Sequence, residues 1–437
     1  MSKSTLTYVL QPGGSLNGRL RVPGDKSISH RAIMFGALAE GISQVSGFLE
    51  GQDSLATLHA FRAMGVSISD PVQGKLSIQG VGMHGLKEPA QPLDMGNSGT
   101  AMRLMAGLLS AQAFSSTLIG DESLSKRPMR RISEPLKAMG ADLELTQDNF
   151  APITIRSALL HGIDYAMPVA SAQVKSCLLL AAMYAEGTTQ IHEPAPCRDH
   201  TELMLKAFGY PLQIEGPRVT ITGGGKLSAC DIDIPADISS AAFYLVGASI
   251  APDSDLILEH VGINPTRVGV INILREMGAD ISYLREYSAG GEPVADIRVR
   301  YVPLHGIDIP LEQVPLAIDE FPALFIAAAC AEGTTRLRGA EELRVKESDR
   351  IQAMADGLAV LGINHQVLAD GIDIEGGDFG GGDIDSQGDH RIAMAFSMAA
   401  LRASAPVRVH DCLNVNTSFP GFVDLARSCG LALESRG

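Results

Sequence analysis

The sequence predicts an α/β protein of two domains, each built from three copies of one βα-rich unit. The first observation is length, because 437 residues exceed what one hydrophobic core usually organises. The second is a pattern that recurs six times, in which an amphipathic helix ends at a glycine and a β-like stretch follows. The third is a second set of six helices, which lie between the first ones and are apolar on almost every side.

The six amphipathic helices are marked by the glycine at which each one ends. Glycine at this position is the usual left-handed cap of a helix. The intervals between these glycines, 68 to 84 residues, define units of roughly 70 residues. The six are Gly65, Gly140, Gly209, Gly278, Gly362 and Gly430.

The second set of helices is rich in small and apolar residues, so each helix should be buried. Their first residues are polar, and the simplest interpretation is N-capping by Ser, Asp and Asn. The six segments read DKSISHRAIMFGALAEG (25–41), GNSGTAMRLMAGLLSA (96–111), SAQVKSCLLLAAMYAEG (171–187), ADISSAAFYLVGASIA (236–251), AIDEFPALFIAAACAEG (317–333) and GDHRIAMAFSMAALRA (388–403).

Basic residues near the starts of these buried helices support a second interpretation. Positive charge at a helix N-terminus opposes the helix dipole unless an anion lies there. If the two domains face each other, up to six such N-termini would converge on one cleft and bind anions. The residues concerned are Lys26, Arg31, Arg103, Lys175 and Arg391.

The charged segment RVKESDR (344–350) directly precedes the apolar stripe of an amphipathic helix. We expect the helix to extend back through Glu347, which would place Lys346 and Arg350 one turn apart, where they repel. Glu347 alone cannot neutralise both of them together with Arg344. The pattern therefore predicts a bound anion beside these charges, in a cleft at the end of the stripe.

Other polar stretches also stand at predicted helix starts. GDKSISHR (24–31) lacks the GxxxxGK[ST] pattern, which excludes a nucleotide P-loop. Gly99 would let a ligand approach the backbone closely, and Pro128 fixes the direction in which Arg127 leaves a basic run. The candidate side chains from these stretches are Lys26, Ser27, Arg31, Asn97, Thr100, Ser171, Gln173, Arg198, Asp319 and Glu320.

Composition limits the classes of partner. The net charge of −15 argues against nucleic acid or an acidic membrane surface, although a local basic cluster could still bind a small anion. The six cysteines are scattered without a CxxC pair, which favours reduced thiols in a cytosolic protein and no metal site. Apolar runs such as 322–331 are about half as long as a membrane span requires.

Seven segments together resemble the 5-enolpyruvylshikimate-3-phosphate synthase family, in the family's order and over the whole chain: GDKSISHR, GNSGTAMR, KRP, SAQVKS, DEFP, RVKESDR and GDHRIAMA. EELRVKESDR and TSFP are more similar to the subgroup that diverges from the enterobacterial type. The resemblance implies an inside-out α/β barrel, with two domains of three βαβαββ units each and the active site in the cleft between them. Transferred to this chain, residues 1–22 with 235–437 form one domain and residues 23–234 form the other.

The resemblance also implies a reaction. The enolpyruvyl group of phosphoenolpyruvate would be transferred to the 5-hydroxyl of shikimate 3-phosphate, through a tetrahedral intermediate and with release of phosphate, on the shikimate pathway to chorismate and aromatic amino acids. No metal or organic cofactor is implied. A cytoplasmic monomer without nucleic-acid or membrane partners is expected, and Gly99 is the residue usual in members that glyphosate inhibits.

Residue roles follow from the same resemblance. Asp319 would take the hydroxyl proton with Lys346 nearby, and Lys26 and Glu347 would transfer protons at the methylene and the leaving phosphate. Arg127, Arg350 and Arg391, aided by Lys26 and Gly99, would clamp phosphoenolpyruvate. Ser27 and Arg31 would hold the shikimate carboxylate, and Ser171, Ala172, Gln173 and Arg198 its 3-phosphate and ring. The implied substrate-binding set is completed by Asn97, Thr100 and His390.

One departure and two alternatives remain open. Many members carry a lysine just before a C-terminal TFP motif, where this chain has Asn416 and Thr417. The first alternative is the related transferase acting on UDP-N-acetylglucosamine, which typically has a cysteine in the loop corresponding to 120–128 and lacks an RVKESDR segment. No cysteine is present in that loop here. The second is a non-catalytic phosphosugar-binding protein, which would be expected to have lost Asp319 or Glu347.

Overall fold

The computed structural model describes residues 6–437, and the chain divides into two compact units. Unit 1 contains the chain up to Pro23, Pro235–Ser288 and Pro293–Gly437, and unit 2 contains Gly24–Ile234 and Ala289–Glu292. The boundary between Pro23 and Gly24 lies one residue from the expected division between residues 22 and 23. The boundary between Ile234 and Pro235 lies at the expected position. The assignment of Ala289–Glu292, the tip of a hairpin, to unit 2 was not expected.

Twelve α-helices occur within residues 6–437: α1 (Lys26–Leu38), α2 (Gln52–Ala63), α3 (Gly99–Leu109), α4 (Arg130–Ala138), α5 (Ala172–Ala182), α6 (His200–Ala207), α7 (Ile238–Ile250), α8 (Gly269–Glu276), α9 (Phe321–Ala329), α10 (Arg350–Val360), α11 (His390–Ala399) and α12 (Phe422–Cys429). No helix in this part of the chain is long and apolar enough to cross a membrane.

The same residues form 23 strands: β1 (Thr7–Leu10), β2 (Asn17–Leu20), β3 (Ile42–Ser46), β4 (Ser67–Ile68), β5 (Leu76–Gln79), β6 (Leu93–Asp94), β7 (Ser116–Ile119), β8 (Asp142–Thr146), β9 (Phe150–Arg156), β10 (Asp164–Ala166), β11 (Thr188–His192), β12 (Leu212–Glu215), β13 (Arg218–Thr222), β14 (Ile232–Asp233), β15 (Asp255–Gly262), β16 (Asp280–Ala289), β17 (Glu292–Arg300), β18 (Thr334–Leu337), β19 (His365–Leu368), β20 (Gly371–Glu375), β21 (Gly382–Asp385), β22 (Val407–His410) and β23 (Leu433–Arg436).

The strands form six small sheets, three in each unit. The orders are β14-β3-β5-β4, β6-β7-β9-β8 and β10-β11-β13-β12 in unit 2, and β16-β17-β15-β2, β18-β20-β19 and β21-β22-β1-β23 in unit 1. Five sheets contain one parallel pair beside antiparallel neighbours. In the sixth, Asp308 makes a single parallel bridge to Arg336 where the fourth strand would lie. The predicted six-fold internal repeat is confirmed.

The six helix-ending glycines all have positive φ, between 78° and 120°. This backbone region is open to glycine without steric cost, which is why glycine ends each of these helices. The predicted caps are therefore confirmed.

The second set of helices is buried, as predicted. Every residue of α7, α9 and α11 lies in the core of unit 1, and α1, α3 and α5 are buried over most of their length in unit 2. Five of the six begin at a side-chain cap, and these caps are Asp25, Ser98, Ser171, Asp237 and Asp389. The simple capping interpretation thus holds for five of the six helices.

Helix α10 starts later than the sequence suggested. It begins at Arg350, while residues 341–345 form a separate 3₁₀ turn and Lys346 is extended. The Asp349 side chain caps the helix by accepting from the Gln352 amide at 3.1 Å. The expectation that the helix extends back through Glu347 was wrong, because an aspartate followed three positions later by glutamine is itself a start signal.

Candidate active site

The buried guanidinium of Arg350 is the centre of the charged group in unit 1. Its Nε lies 2.9 Å from Asp389 Oδ2, its Nη1 3.3 Å from Asp319 Oδ1 and its Nη2 2.5 Å from Glu347 Oε2. Burial alone would lower the pKa of Arg350, but the three carboxylates outweigh burial and raise it. Arg350 is therefore a fixed cation, built into the protein by carboxylates on three sides.

The charge conflict predicted in the RVKESDR segment is resolved inside the protein. Arg344 Nη1 lies 2.6 Å from Asp349 Oδ2, and the guanidinium also donates to the Leu368 and Ala369 carbonyls. The premise that these charges lack partners within the protein was therefore wrong, while the bound anion beside them stays a prediction. Two of the three carboxylates around Arg350 come from the starts of α9 and α11, which are distant in sequence.

Three ionisable groups beside Arg350 remain partly accessible. The side chains of Asp319, Lys346 and Glu347 are 16%, 21% and 24% exposed. Lys346 Nζ lies 3.5 Å from Asp319 Oδ1, so this carboxylate is shared between Lys346 and Arg350. A carboxylate and an ammonium group in contact, both open to solvent on one side, can exchange a proton with a bound ligand.

Arg391 is held at the start of α11 by the neighbouring helix α9. Its Nη1 donates to the Asp319 carbonyl at 2.9 Å and lies 3.9 Å from Glu320 Oε1. The Glu320 carboxylate is completely buried, and it accepts from Ser239 on α7 and lies 3.8 Å from Arg267. One buried carboxylate therefore ties together the starts of the three core helices of unit 1. His390, the first residue of α11, is also buried.

In unit 2, the start of α1 positions Lys26, Ser27 and Arg31. Lys26 Nζ lies 3.0 Å from Asp53 Oδ2, and about a fifth of the lysine side chain is exposed. Arg31 is buried and donates to Thr201 Oγ1 and Ser176 Oγ at 2.7 Å and to the Ser27 carbonyl at 2.8 Å. Burial lowers its pKa to about 10. Three donors of Arg31 are thus engaged within the protein itself.

The start of α3 brings Asn97, Gly99 and Thr100 close to Arg127. The Arg127 guanidinium donates to Asn97 Oδ1 at 2.6 Å, and Asn97 in turn donates to Asp121. A methyl group on Gly99 would come within 3.4 Å of Arg127 Nη1. The bare backbone of Gly99 therefore leaves room beside this guanidinium.

The start of α5 is joined to α3 through amide and guanidinium contacts. Ser171 caps the helix, and Ala172 is its first residue. Gln173 donates to Thr100 Oγ1 at 3.0 Å and accepts from Arg103 Nη1 at 2.5 Å. Arg198, in the loop before α6, lies near enough to Arg31 for its charge to help lower the pKa of Arg31.

The predicted residues therefore fall into two groups, one in each unit. Unit 1 holds Asp319, Lys346, Glu347, Arg350, His390 and Arg391, and unit 2 holds Lys26, Ser27, Arg31, Asn97, Gly99, Thr100, Arg127, Ser171, Ala172, Gln173 and Arg198. Sequence reasoning missed the partners that hold these residues, namely Asp53, Ser176, Thr201 and Asp389. Of these, Asp389 had a readable signal, since it stands at the cap position of a buried helix.

Comparison with known proteins decides the family. The model of a family described as EPSP synthase (3-phosphoshikimate 1-carboxyvinyltransferase) matches residues 10–425. The chain belongs to the EPSP synthase family. A relative from Methylococcus capsulatus, named 3-phosphoshikimate 1-carboxyvinyltransferase, is 65% identical over 435 residues, which cover 99% of this chain and 100% of the relative.

Solved structures agree with this membership of the EPSP synthase family. EPSP synthase from Acinetobacter baumannii matches with a TM-score of 0.90 and 57% identity, covering 99% of this chain and 100% of that one. The enolpyruvyl transferase NikO from Streptomyces tendae matches with a TM-score of 0.80 at 17% identity, with 99% of both chains covered, and this likeness concerns the fold alone. The predicted enolpyruvyl transferase-like fold is confirmed.

Proposed function

We propose that this chain transfers the enolpyruvyl group of phosphoenolpyruvate to the 5-hydroxyl of shikimate 3-phosphate and releases phosphate. The observation that carries the proposal is end-to-end identity of 65% with a 3-phosphoshikimate 1-carboxyvinyltransferase. The geometry supports it, because both residue groups combine fixed cations with groups able to move protons. The UDP-N-acetylglucosamine alternative has no observation of this structure in its favour.

The unit 1 group supplies proton transfer and charge. Asp319 takes the proton from the attacking 5-hydroxyl, and Lys346 Nζ lies 3.5 Å from the accepting carboxylate. Glu347 and Lys26 handle the proton that is added to and later removed from the methylene carbon. Arg350 and Arg391, each anchored by carboxylates or carbonyls, bind the phosphate and carboxylate of phosphoenolpyruvate. For Arg350 this requires a terminal nitrogen to exchange Asp319 or Glu347 for the ligand.

The unit 2 group supplies most of the recognition of shikimate 3-phosphate. Ser171, the Ala172 amide, Gln173 and Arg198 bind the 3-phosphate and ring, since a helix start offers N–H donors to an anion. Ser27 contacts the shikimate carboxylate, and Arg31, with three donors already engaged, orients Ser27 through its carbonyl. Arg127, Asn97 and Gly99 hold phosphoenolpyruvate.

The remaining expectations belong to the same proposal. The protein acts as a cytoplasmic monomer, without nucleic acid, membrane or cofactor as a partner. Glyphosate inhibits it in competition with phosphoenolpyruvate, because Gly99 leaves room beside the Arg127 guanidinium.

The decisive experiment follows phosphate release by the purified protein. Phosphoenolpyruvate is supplied with shikimate 3-phosphate in one reaction and with UDP-N-acetylglucosamine in a parallel one. Release with shikimate 3-phosphate alone supports the proposal. Release only with the nucleotide sugar would assign the chain to the related transferase, and no release with either, while binding persists, would leave a binding protein.

A further inference from the structure

Lys175 is a buried cation to which the proposed reaction assigns no role. Its side chain is 1% exposed, and Nζ lies 2.5 Å from Glu193 Oε1 and 2.6 Å from Glu202 Oε1. Glu202 is also buried, and Glu193 is partly buried. Burial alone would lower the pKa of Lys175, but the two carboxylates outweigh it and raise the pKa. Burial raises the pKa of Glu202, and Lys175 opposes that rise. Because the ammonium group is already bound to two carboxylates and to the Cys197 carbonyl, a role for Lys175 in the reaction would act through other residues.

The Lys175 group holds the backbone that precedes Arg198. Glu193 Oε2 accepts from the Cys197 amide at 3.0 Å, and Lys175 Nζ donates to the Cys197 carbonyl at 3.5 Å. Both peptide groups of Cys197 are therefore bound to this cluster. The next residue is Arg198, so the cluster determines where the Arg198 side chain leaves the loop.

The same cluster borders Arg31. Glu202 follows Thr201, whose hydroxyl accepts from Arg31 Nε at 2.7 Å. The Glu202 carboxylate acts electrostatically on Arg31 strongly enough to oppose the lowering of the pKa of Arg31 by burial. Without Lys175, the buried Glu202 carboxylate would lose the ammonium group that now pairs with it, and would draw the nearby Arg31 guanidinium toward itself.

We propose that Lys175 is a positioning residue for recognition of shikimate 3-phosphate. It neutralises Glu193 and Glu202 within the protein and fixes the loop at Cys197, which keeps Arg198 directed at the 3-phosphate and Arg31 directed at Ser27. This inference rests on the proposed function. It also accounts for the basic residue near the start of helix α5.

The test compares Lys175→Met with Lys206→Met, the same change at an exposed position on α6. Calorimetry measures the Kd of shikimate 3-phosphate without phosphoenolpyruvate, and kinetics measure KM for each substrate. We expect Lys175→Met to raise the Kd and KM of shikimate 3-phosphate roughly tenfold. KM for phosphoenolpyruvate, at saturating shikimate 3-phosphate, should stay within about twofold, and Lys206→Met should match the unmodified protein.

A double variant distinguishes the neutralisation of Glu202 by Lys175 from a purely structural role of the Lys175 side chain. In Lys175→Met with Glu202→Gln, one uncompensated carboxylate is also removed, so shikimate 3-phosphate should bind more tightly than to Lys175→Met alone. A purely structural role for Lys175 would make the double variant bind no better. If Lys175→Met does not fold, Glu193→Gln weakens the Lys175–Glu193 pair that holds the Cys197 loop, and the Kd of shikimate 3-phosphate should also rise.

The outcomes distinguish this inference from the proposed function. An unmodified protein that does not turn over phosphoenolpyruvate with shikimate 3-phosphate would overturn the proposed function. An active protein whose Lys175→Met or Glu193→Gln variant binds shikimate 3-phosphate as tightly as Lys206→Met would overturn only the role of Lys175.

Discussion

Arg350 Nε donates to Asp389 Oδ2 over 2.9 Å, and both side chains are buried. Burial alone would raise the pKa of Asp389, but the Arg350 guanidinium outweighs it and lowers the pKa. The pair holds Arg350 from behind, so its two terminal nitrogens face Asp319 and Glu347. The orientation of the central cation in unit 1 therefore depends on one buried ion pair.

Asp389→Asn should destabilise the protein while keeping the cap of α11, because asparagine also caps helices. Removing one charge of a buried pair leaves the other uncompensated, and we expect a loss of about 3 kcal/mol in the free energy of unfolding. Urea unfolding measures this loss. Asp373→Asn is the control, since its partner Arg338 is partly exposed and the loss should stay below about 1 kcal/mol. Equal losses in both variants would contradict the prediction.

Asp319→Asn should lower kcat by about a hundredfold or more, because an amide cannot accept the hydroxyl proton. The change is isosteric, so KM for each substrate should vary by no more than about threefold if the group acts mainly in the transition state. The measurement is steady-state phosphate release. Asp308→Asn, at an exposed ion pair with Arg336, is the matched control and should leave kcat unchanged. Similar kcat values for the two variants would rule out Asp319 as the base.

Gly99→Ala should weaken the binding of phosphoenolpyruvate and glyphosate more than the binding of shikimate 3-phosphate. The added methyl would lie 3.1 Å from Arg103 Nη1, so the end of that flexible side chain must shift, and it would also touch Arg127 Nη1 at 3.4 Å. We expect KM for phosphoenolpyruvate and the inhibition constant of glyphosate to rise roughly tenfold. Gly377→Ala, whose methyl would make an ordinary 3.5 Å contact, is the control. Unchanged glyphosate inhibition would refute this account.

His30 should make the protein less stable in mild acid. Burial, followed by the charges of Lys26 and Arg31, lowers the pKa of His30 to about 3, although Asp25 opposes them. The folded protein thus keeps His30 neutral, hydrogen-bonded with Thr57 at 2.7 Å and Ser98 at 3.3 Å. The unfolded chain binds the proton near pH 6.5, so the stabilisation is complete above that pH and is lost as pH falls toward about 3.

The slope of this loss is measurable by urea unfolding at several pH values. Between pH 6.5 and about 3, protonation of His30 in the unfolded chain should lower the free energy of unfolding by about 1.4 kcal/mol per pH unit. His30→Gln removes the titration and should flatten the acid side of the stability profile. His59→Gln, at an exposed position on α2, should leave the slope as it was. Parallel profiles for the unmodified protein and His30→Gln would show that His30 does not contribute.

Much of the fold could be read from short-range sequence. A glycine such as Gly65 or Gly430 ends its helix because the left-handed backbone favours glycine, and that preference is local. The burial of α7 or α9 follows from apolar residues on every side of the helix. The start of α10 was misplaced because apolar periodicity was read past Asp349, although the cap was visible in the same segment.

The charged contacts could not be read in this way. The RVKESDR segment indicated an electrostatic conflict, but the carboxylates that resolve it, Asp319 and Asp389, stand 31 and 39 residues from Arg350. Likewise, the partners of Lys175 are Glu193, which directly follows strand β11, and Glu202, which lies on α6. Sequence spacing contains no information on which helix starts pack side by side, so the internal partners of the RVKESDR charges could not be predicted.

Local pattern was therefore enough to define six repeated units, their capped and buried helices, and the residues that carry the family resemblance. Each of these depends on backbone preference or on the hydrophobicity of neighbouring residues along the chain. The pairing of Arg350, Arg31 and Lys175 with their partners required the packed structure, because buried charges interact strongly only at the short distances that packing creates.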